Sequence, residues 1–100
     1  MGQQSKVGKV ATHVMVTNGR ISVRYHDTLV VDITPESITL DSGGWRTATT
    51  KTRMNQASNQ FGLGYIVYQK AHTWFVDVVG IDGGYLTLRF FDGISFARKP

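Results

Sequence analysis

Residues 42–55 read Ser-Gly-Gly-Trp-Arg-Thr-Ala-Thr-Thr-Lys-Thr-Arg-Met-Asn, which gathers hydroxyls, cations and an amide behind a glycine pair. These are the residue types of an anion site. Gly43 and Gly44 would let backbone approach a ligand closely, and Thr49 and Thr50 would donate to phosphate oxygens. Arg46, Lys51 and Arg53 would supply charge, with Asn55 adding an amide. A helix starting inside this segment would add free N–H groups and the positive end of its dipole. The expected ligand is therefore the phosphate of a nucleotide or a nucleic acid. Neither the Gly-x4-Gly-Lys-Ser/Thr nor the Gly-x-Gly-x-x-Gly spacing is present, so no recognised phosphate loop is at hand. The plainer alternative is a strand-to-helix connection in which the glycines turn the chain, the threonines cap and Trp45 joins the core.

A second set of residues suits stacking. Tyr25, Tyr65, Tyr68, Trp74 and Tyr85 fall in strand-like segments, with Arg24, Lys70 and Arg89 nearby. Rings on an exposed sheet face beside cations form a platform for single-stranded nucleic acid, whereas rings turned inward simply fill a small core. Thr52, Gln56 and Asn59, flanked by Arg53, Asn55 and Gln60, would lie on the outward side of the helix, but the sequence pattern offers no second helix to build a helix-turn-helix.

Catalytic and metal chemistry have weaker footing. His13, His26 and His72 could pair with Asp27, Asp32 or Asp77, yet they are scattered along the chain. There is no Gly-x-Ser-x-Gly or His-Glu-x-x-His motif, and the absence of cysteine removes disulfides, thiolate nucleophiles and sulfur-bound metals. The expectation is a protein that is not an enzyme and carries no cofactor or metal.

These residues need elements to position them. Val10–Val16 alternates as a strand, and Asn18-Gly19 tolerates the positive φ angles of a two-residue hairpin turn into Arg20–Tyr25. Thr28–Ile33 is nearly continuous apolar sequence, as in a strand buried on both faces, and Ser37–Asp41 alternates again. From residue 50 to 61 the spacing of Met54, Ala57 and Phe61 predicts a helix, with Thr49 or Thr50 as N-cap and Gly62 as the left-handed residue at its end. Three further strands, Tyr65–Lys70, Thr73–Val79 and Tyr85–Phe91, precede a short edge at Ile94–Phe96. The order predicts an α+β fold: an antiparallel sheet of about six or seven strands with one short helix near residues 50–61 packed on it.

One hundred residues with a net charge of +4 bound the whole: a single domain over residues 10–100 behind a flexible N-terminal tail at 1–9. The basic balance, with a pI near 9.7, favours an anionic partner. No apolar run is long enough to span a membrane, and the start lacks the apolar stretch of a secretory signal, so no membrane association is expected.

The block Leu40–Gln56, with Phe61-Gly62-Leu63-Gly64 and Val67-Tyr68-Gln69-Lys70, resembles a group of small proteins encoded by tailed bacteriophages. That group carries a GGW-TATTK-R-NQ core, a VYQK strand, a Trp/Phe-rich strand and a closing F-DG element; Trp74-Phe75-Val76 and Phe90-Phe91-Asp92-Gly93 fill the last two places here. The resemblance brings no activity with it. It implies a viral accessory protein acting in the cytoplasm of a bacterial host, and it marks Gly43, Gly44, Trp45, Thr49, Thr50, Arg53 and Asn55. Two classes of partner follow: nucleic acid or a nucleotide, or a host protein, such as a defence component, that the viral protein inhibits or adapts.

Overall fold

A computed structural model describes residues 12–44, 46–79 and 83–98. The tail expected at 1–9, and Trp45, lie outside the described residues. The fold is α+β, and among the described residues eight strands divide between two antiparallel sheets rather than forming one.

The first sheet is a meander. β1 (Thr12–Thr17) and β2 (Arg20–Tyr25) are joined at Asn18 (φ 41°) and Gly19 (φ 83°), the conformation that the Asn-Gly dipeptide tolerates. β3 (Thr28–Ile33) and β4 (Ser37–Leu40) continue it, and β8 (Ile94–Ala97) pairs with β4, giving the order β1-β2-β3-β4-β8. The register of β2 on β3 shifts at Val23/Arg24. That bulge lets β3 bury Val30 and Val31, which a strict alternation would place on opposite faces.

The second sheet is β5 (Tyr65–Lys70), β6 (Thr73–Val79) and β7 (Tyr85–Arg89), in chain order. The β5–β6 turn uses Ala71 (φ 51°) and His72 (φ 65°), so two side-chain-bearing residues adopt the left-handed conformation.

Helix α1 (Ala48–Phe61) starts two residues earlier than its apolar spacing predicts, and its N-cap is Thr47, whose side chain accepts from the Thr50 N–H. Neither Thr49 nor Thr50 caps it, because the first turn already includes both. Gly62 closes the helix at φ 63° as expected. The helix packs on β5 and also reaches β2 and β3, so it joins the two sheets along one side. Met54 and Ala57 enter a core shared with Val23, Val31, Ile33, Val67, Trp74 and Val76. Each large apolar side chain so buried contributes roughly 1.5–3 kcal/mol, which offsets the middling propensity of the helix.

The expectation of a polar outward side along the helix fails at two positions. Asn55 and Gln56 are 6% and 4% exposed. Asn55 donates from Nδ2 to the Val67 carbonyl (2.8 Å) and accepts from the Val67 N–H (2.7 Å). One turn on, Ser58 Oγ donates to the Tyr65 carbonyl (2.7 Å) and accepts from the Tyr65 N–H (3.1 Å). The outer backbone edge of β5 is thus satisfied by helix side chains, which amphipathic spacing cannot reveal.

Candidate functional site

The loop ahead of the helix turns its hydrogen bonds inward. Ser42 donates to Asp92 Oδ1 from both its amide (2.8 Å) and its hydroxyl (2.6 Å), and the Gly43 N–H donates to Asp41 Oδ1 (2.7 Å). Partial burial pushes the Asp92 carboxyl upward, but the two Ser42 donors, the Arg46 charge and the Gly44 amide outweigh it and hold the group below its ordinary value. Gly43 (φ 62°) does allow a close approach, yet what approaches is the Thr28 side chain, which fills the space a Cβ would need. Gly44 (φ 84°) has nothing within 4 Å of the corresponding position.

The cations divide into two groups. The Arg46 guanidinium lies 5.9 Å from the Trp74 ring centroid and 5.3 Å from that of Phe90, and Lys51 Nζ lies 5.3 Å from Trp74. Lys51 also donates to Gln69 Oε1 (3.2 Å). Arg53 turns the other way, donating to Thr12 Oγ1 (2.9 Å) and Gln56 Oε1 (3.1 Å) while its guanidinium sits 5.7 Å from the Tyr25 ring centroid. Thr49 is exposed, Thr50 is buried against Thr47 (3.1 Å between hydroxyls), and Asn55 is the buried clip on β5. Of the residues singled out for anion binding, the fold brings Arg46 and Lys51 together, sends Arg53 away, and encloses Thr50 and Asn55. A cavity of about 340 Å³ opens between Tyr25, Asp27, Thr28, Val30, Ser42 and Thr50, but its hydroxyls at Ser42 and Thr50 already have the partners just named.

The outward face of the three-stranded sheet is organised differently. The register sets Tyr68 beside Phe75 and Phe75 beside Arg89 in one row, and Ile66, Asp77 and Thr87 in the next. Lys70 opposite Thr73 and Val79 opposite Tyr85 complete the face at its two ends. The core-facing residues Tyr65, Val67, Trp74 and Val76 alternate with these, and the helix packs on that inner side, where the Tyr65 hydroxyl donates to the Met54 carbonyl (2.7 Å). Tyr68 and Phe75 stack with centroids 5.8 Å apart and 26° between planes. Tyr85 is 73% exposed. Asp77 Oδ1 accepts from the Tyr68 hydroxyl (3.0 Å) and the Thr87 hydroxyl (2.7 Å), fixing the carboxylate from both flanking strands. Desolvation first, and then the bond to Asp77 and its charge, raise the Tyr68 phenol above its ordinary value, although Thr87 opposes the shift.

Of the rings named from sequence, Tyr68 and Tyr85 lie on this face with Lys70 and Arg89. Tyr65 and Trp74 point into the core, and Tyr25 belongs to the other sheet. Phe75, Asp77, Thr87 and Ile66 belong to it as well, although their residue types alone do not mark them. The signal was present: a two-residue turn at Ala71-His72 fixes the register, and strict alternation then assigns every side chain to a face. The outward face of the five-stranded sheet, by contrast, carries a forked Arg20–Asp32 pair (2.9 and 2.8 Å) and a Thr39–Ser95 hydroxyl bond (3.2 Å). Among the described residues no three His, Cys, Asp or Glu side chains gather closely enough to hold a metal, and no helix is long and apolar enough to cross a membrane.

A small two-sheet domain with a ring-bearing face on one sheet and a polar face on the other is thus the setting for the family relationship. The relationship is that of a phage protein. The chain belongs to the Kyanoviridae Gp96 protein family, whose family model matches residues 1–97. Neither the curated proteins nor the solved structures contain a match to this chain.

Proposed function

We propose that this protein is a non-enzymatic phage accessory protein that binds single-stranded nucleic acid on the outward face of β5-β6-β7, in the cytoplasm of the bacterial host. The observation that carries this reading is the Tyr68–Phe75 stack, set on one sheet face with Tyr85 and flanked by Lys70 and Arg89. Bases stack on such rings whatever their sequence, at roughly 1–3 kcal/mol per base, while lysine and arginine track the phosphates. Among the described residues the ion pair is Arg20–Asp32, on the other sheet, and neither Lys70 nor Arg89 is paired with a carboxylate there. Arg46 and Lys51 lie against Trp74 and Gln69 on the opposite side of this sheet, so their charge acts on the ligand only from a distance, and exposed Gly44 and Thr49 are the parts of the preceding loop that a passing phosphate could meet.

The test is a titration of labelled single-stranded and duplex oligonucleotides at two salt concentrations. Single strands are expected to bind more tightly, with affinity falling as salt rises, and no binding below about 100 μM at low salt overturns the reading. A second reading, docking on the unpaired strand edge of a host protein, draws on β1, where Val14, Met15 and Val16 are exposed. Under that reading Val16→Lys abolishes capture of a host protein from nuclease-treated lysate and leaves oligonucleotide binding unchanged.

A further inference from the structure

At the end of this face where β5 begins lies a recess of about 490 Å³, lined by Ile66, Asp77, Val79 and Tyr85 of the face and by Asn59 and Gly64 around the connection from α1 to β5. The recess is large enough for one nucleobase laid against apolar and aromatic side chains. Asp77 brings a carboxylate that the neighbouring strands hold in place through Oδ1 alone, since the Tyr68 and Thr87 hydroxyls both donate to that atom. Asp77 Oδ2 has no hydrogen-bond partner among the described residues.

We infer that this recess selects a guanine base from a single strand, with Asp77 as the specificity-determining residue; the inference rests on the binding face proposed above. An ionised carboxylate only accepts hydrogen bonds, and with Oδ1 taken by two hydroxyls the open Oδ2 favours the base edge that sets two donors side by side. On its pairing edge guanine presents N1–H and the N2 amino group side by side. Thymine and uracil present one N3–H between two carbonyls, and cytosine and adenine present an amino group next to a ring nitrogen lone pair, so each of these sets an acceptor against the carboxylate. The fixed position of Oδ1 means that little ordering is lost when a base arrives, which favours discrimination over general affinity. Stacking on Tyr68 and Phe75 remains indifferent to sequence, so Asp77 adds preference at one nucleotide rather than a long recognition motif.

The experiment uses the full chain and short oligothymidine or oligouridine strands carrying one variable base, guanine, adenine, cytosine, thymine/uracil or hypoxanthine, read by fluorescence anisotropy. The guanine strands are expected to bind about tenfold more tightly than the others, and hypoxanthine, which keeps N1–H but lacks the amino group, to fall between. Asp77→Asn is expected to raise affinity for the strands without guanine by removing a negative charge and to bring the guanine preference to within about twofold. The hypoxanthine comparison leaves the protein untouched, so it stands even where the variant folds poorly. Equal binding of all strands overturns the guanine assignment and leaves the stacking face standing; no binding of any strand removes both. DNA and RNA sets run in parallel show which sugar the strand carries.

Discussion

The segment from Ser42 to Asn55 and the outward face of β5-β6-β7 contain similar numbers of polar and charged groups, yet the fold treats them in opposite ways. In the segment nearly every donor meets an acceptor of the chain itself: Ser42 on Asp92, Gly43 on Asp41, Thr50 on Thr47, Arg53 on Thr12 and Gln56, Asn55 on Val67. On the sheet face the bonds are few and run laterally between strands, leaving the Tyr85 ring, Lys70 and Arg89 exposed and one carboxylate oxygen without a partner among the described residues. A cluster of ligand-like residue types is therefore a poor guide until its internal partners are known, because the groups that suit phosphate also suit a tight chain reversal.

Substitutions can break this contrast, and the largest effect is expected inside the segment. Asn55→Ala leaves the N–H and C=O of Val67 buried without partners, at a cost of about 2–4 kcal/mol. Thermal unfolding should show a Tm lower by roughly 10–20 °C, with oligonucleotide affinity unchanged in the folded fraction. Gly43→Ala is expected to cost about 2–3 kcal/mol, through a left-handed backbone and collision with Thr28, whereas Gly44→Ala should cost only about 1 kcal/mol because its surroundings are open. Denaturant titration of the pair checks that difference.

On the sheet face, Tyr68→Ala and Phe75→Ala should each weaken single-strand binding about tenfold. Arg46→Ala should weaken it no more than about threefold, reducing the salt slope by at most about 1. Larger losses at Arg46, Lys51 and Arg53 than at the rings would transfer the interface to the segment. The smallest effect concerns acid. Asp92 titrates below its ordinary value of 3.8 when folded, so its stabilisation is complete above that value and is lost as pH falls through the folded one. The Tm of the native protein should therefore drop more steeply between about pH 5 and about pH 3 than that of Asp92→Asn.

Much of the fold was legible. Asn18-Gly19 and the alternation of Arg20–Tyr25 gave the first hairpin, and Met54, Ala57 and Phe61 gave the helix, because these signals are local. The division into two sheets was not, since it depends on β8 pairing with β4 across more than half of the chain. The fate of Asn55 was equally hidden: a polar residue one step from an apolar stripe reads as solvated unless the strand edge it meets is known. Asp77 reads in the sequence only as a possible partner for histidine, because its hydroxyl neighbours come from two other strands.

The clip between α1 and β5 has one more consequence. Asn55 and Ser58, three residues apart on a helix, bond Val67 and Tyr65, two apart on a strand, so the helix stands in for a missing fourth strand running antiparallel to β5. That side of the sheet is closed to further strand addition, and any chain that lengthens this sheet must do so at β7, beside the rings and the carboxylate.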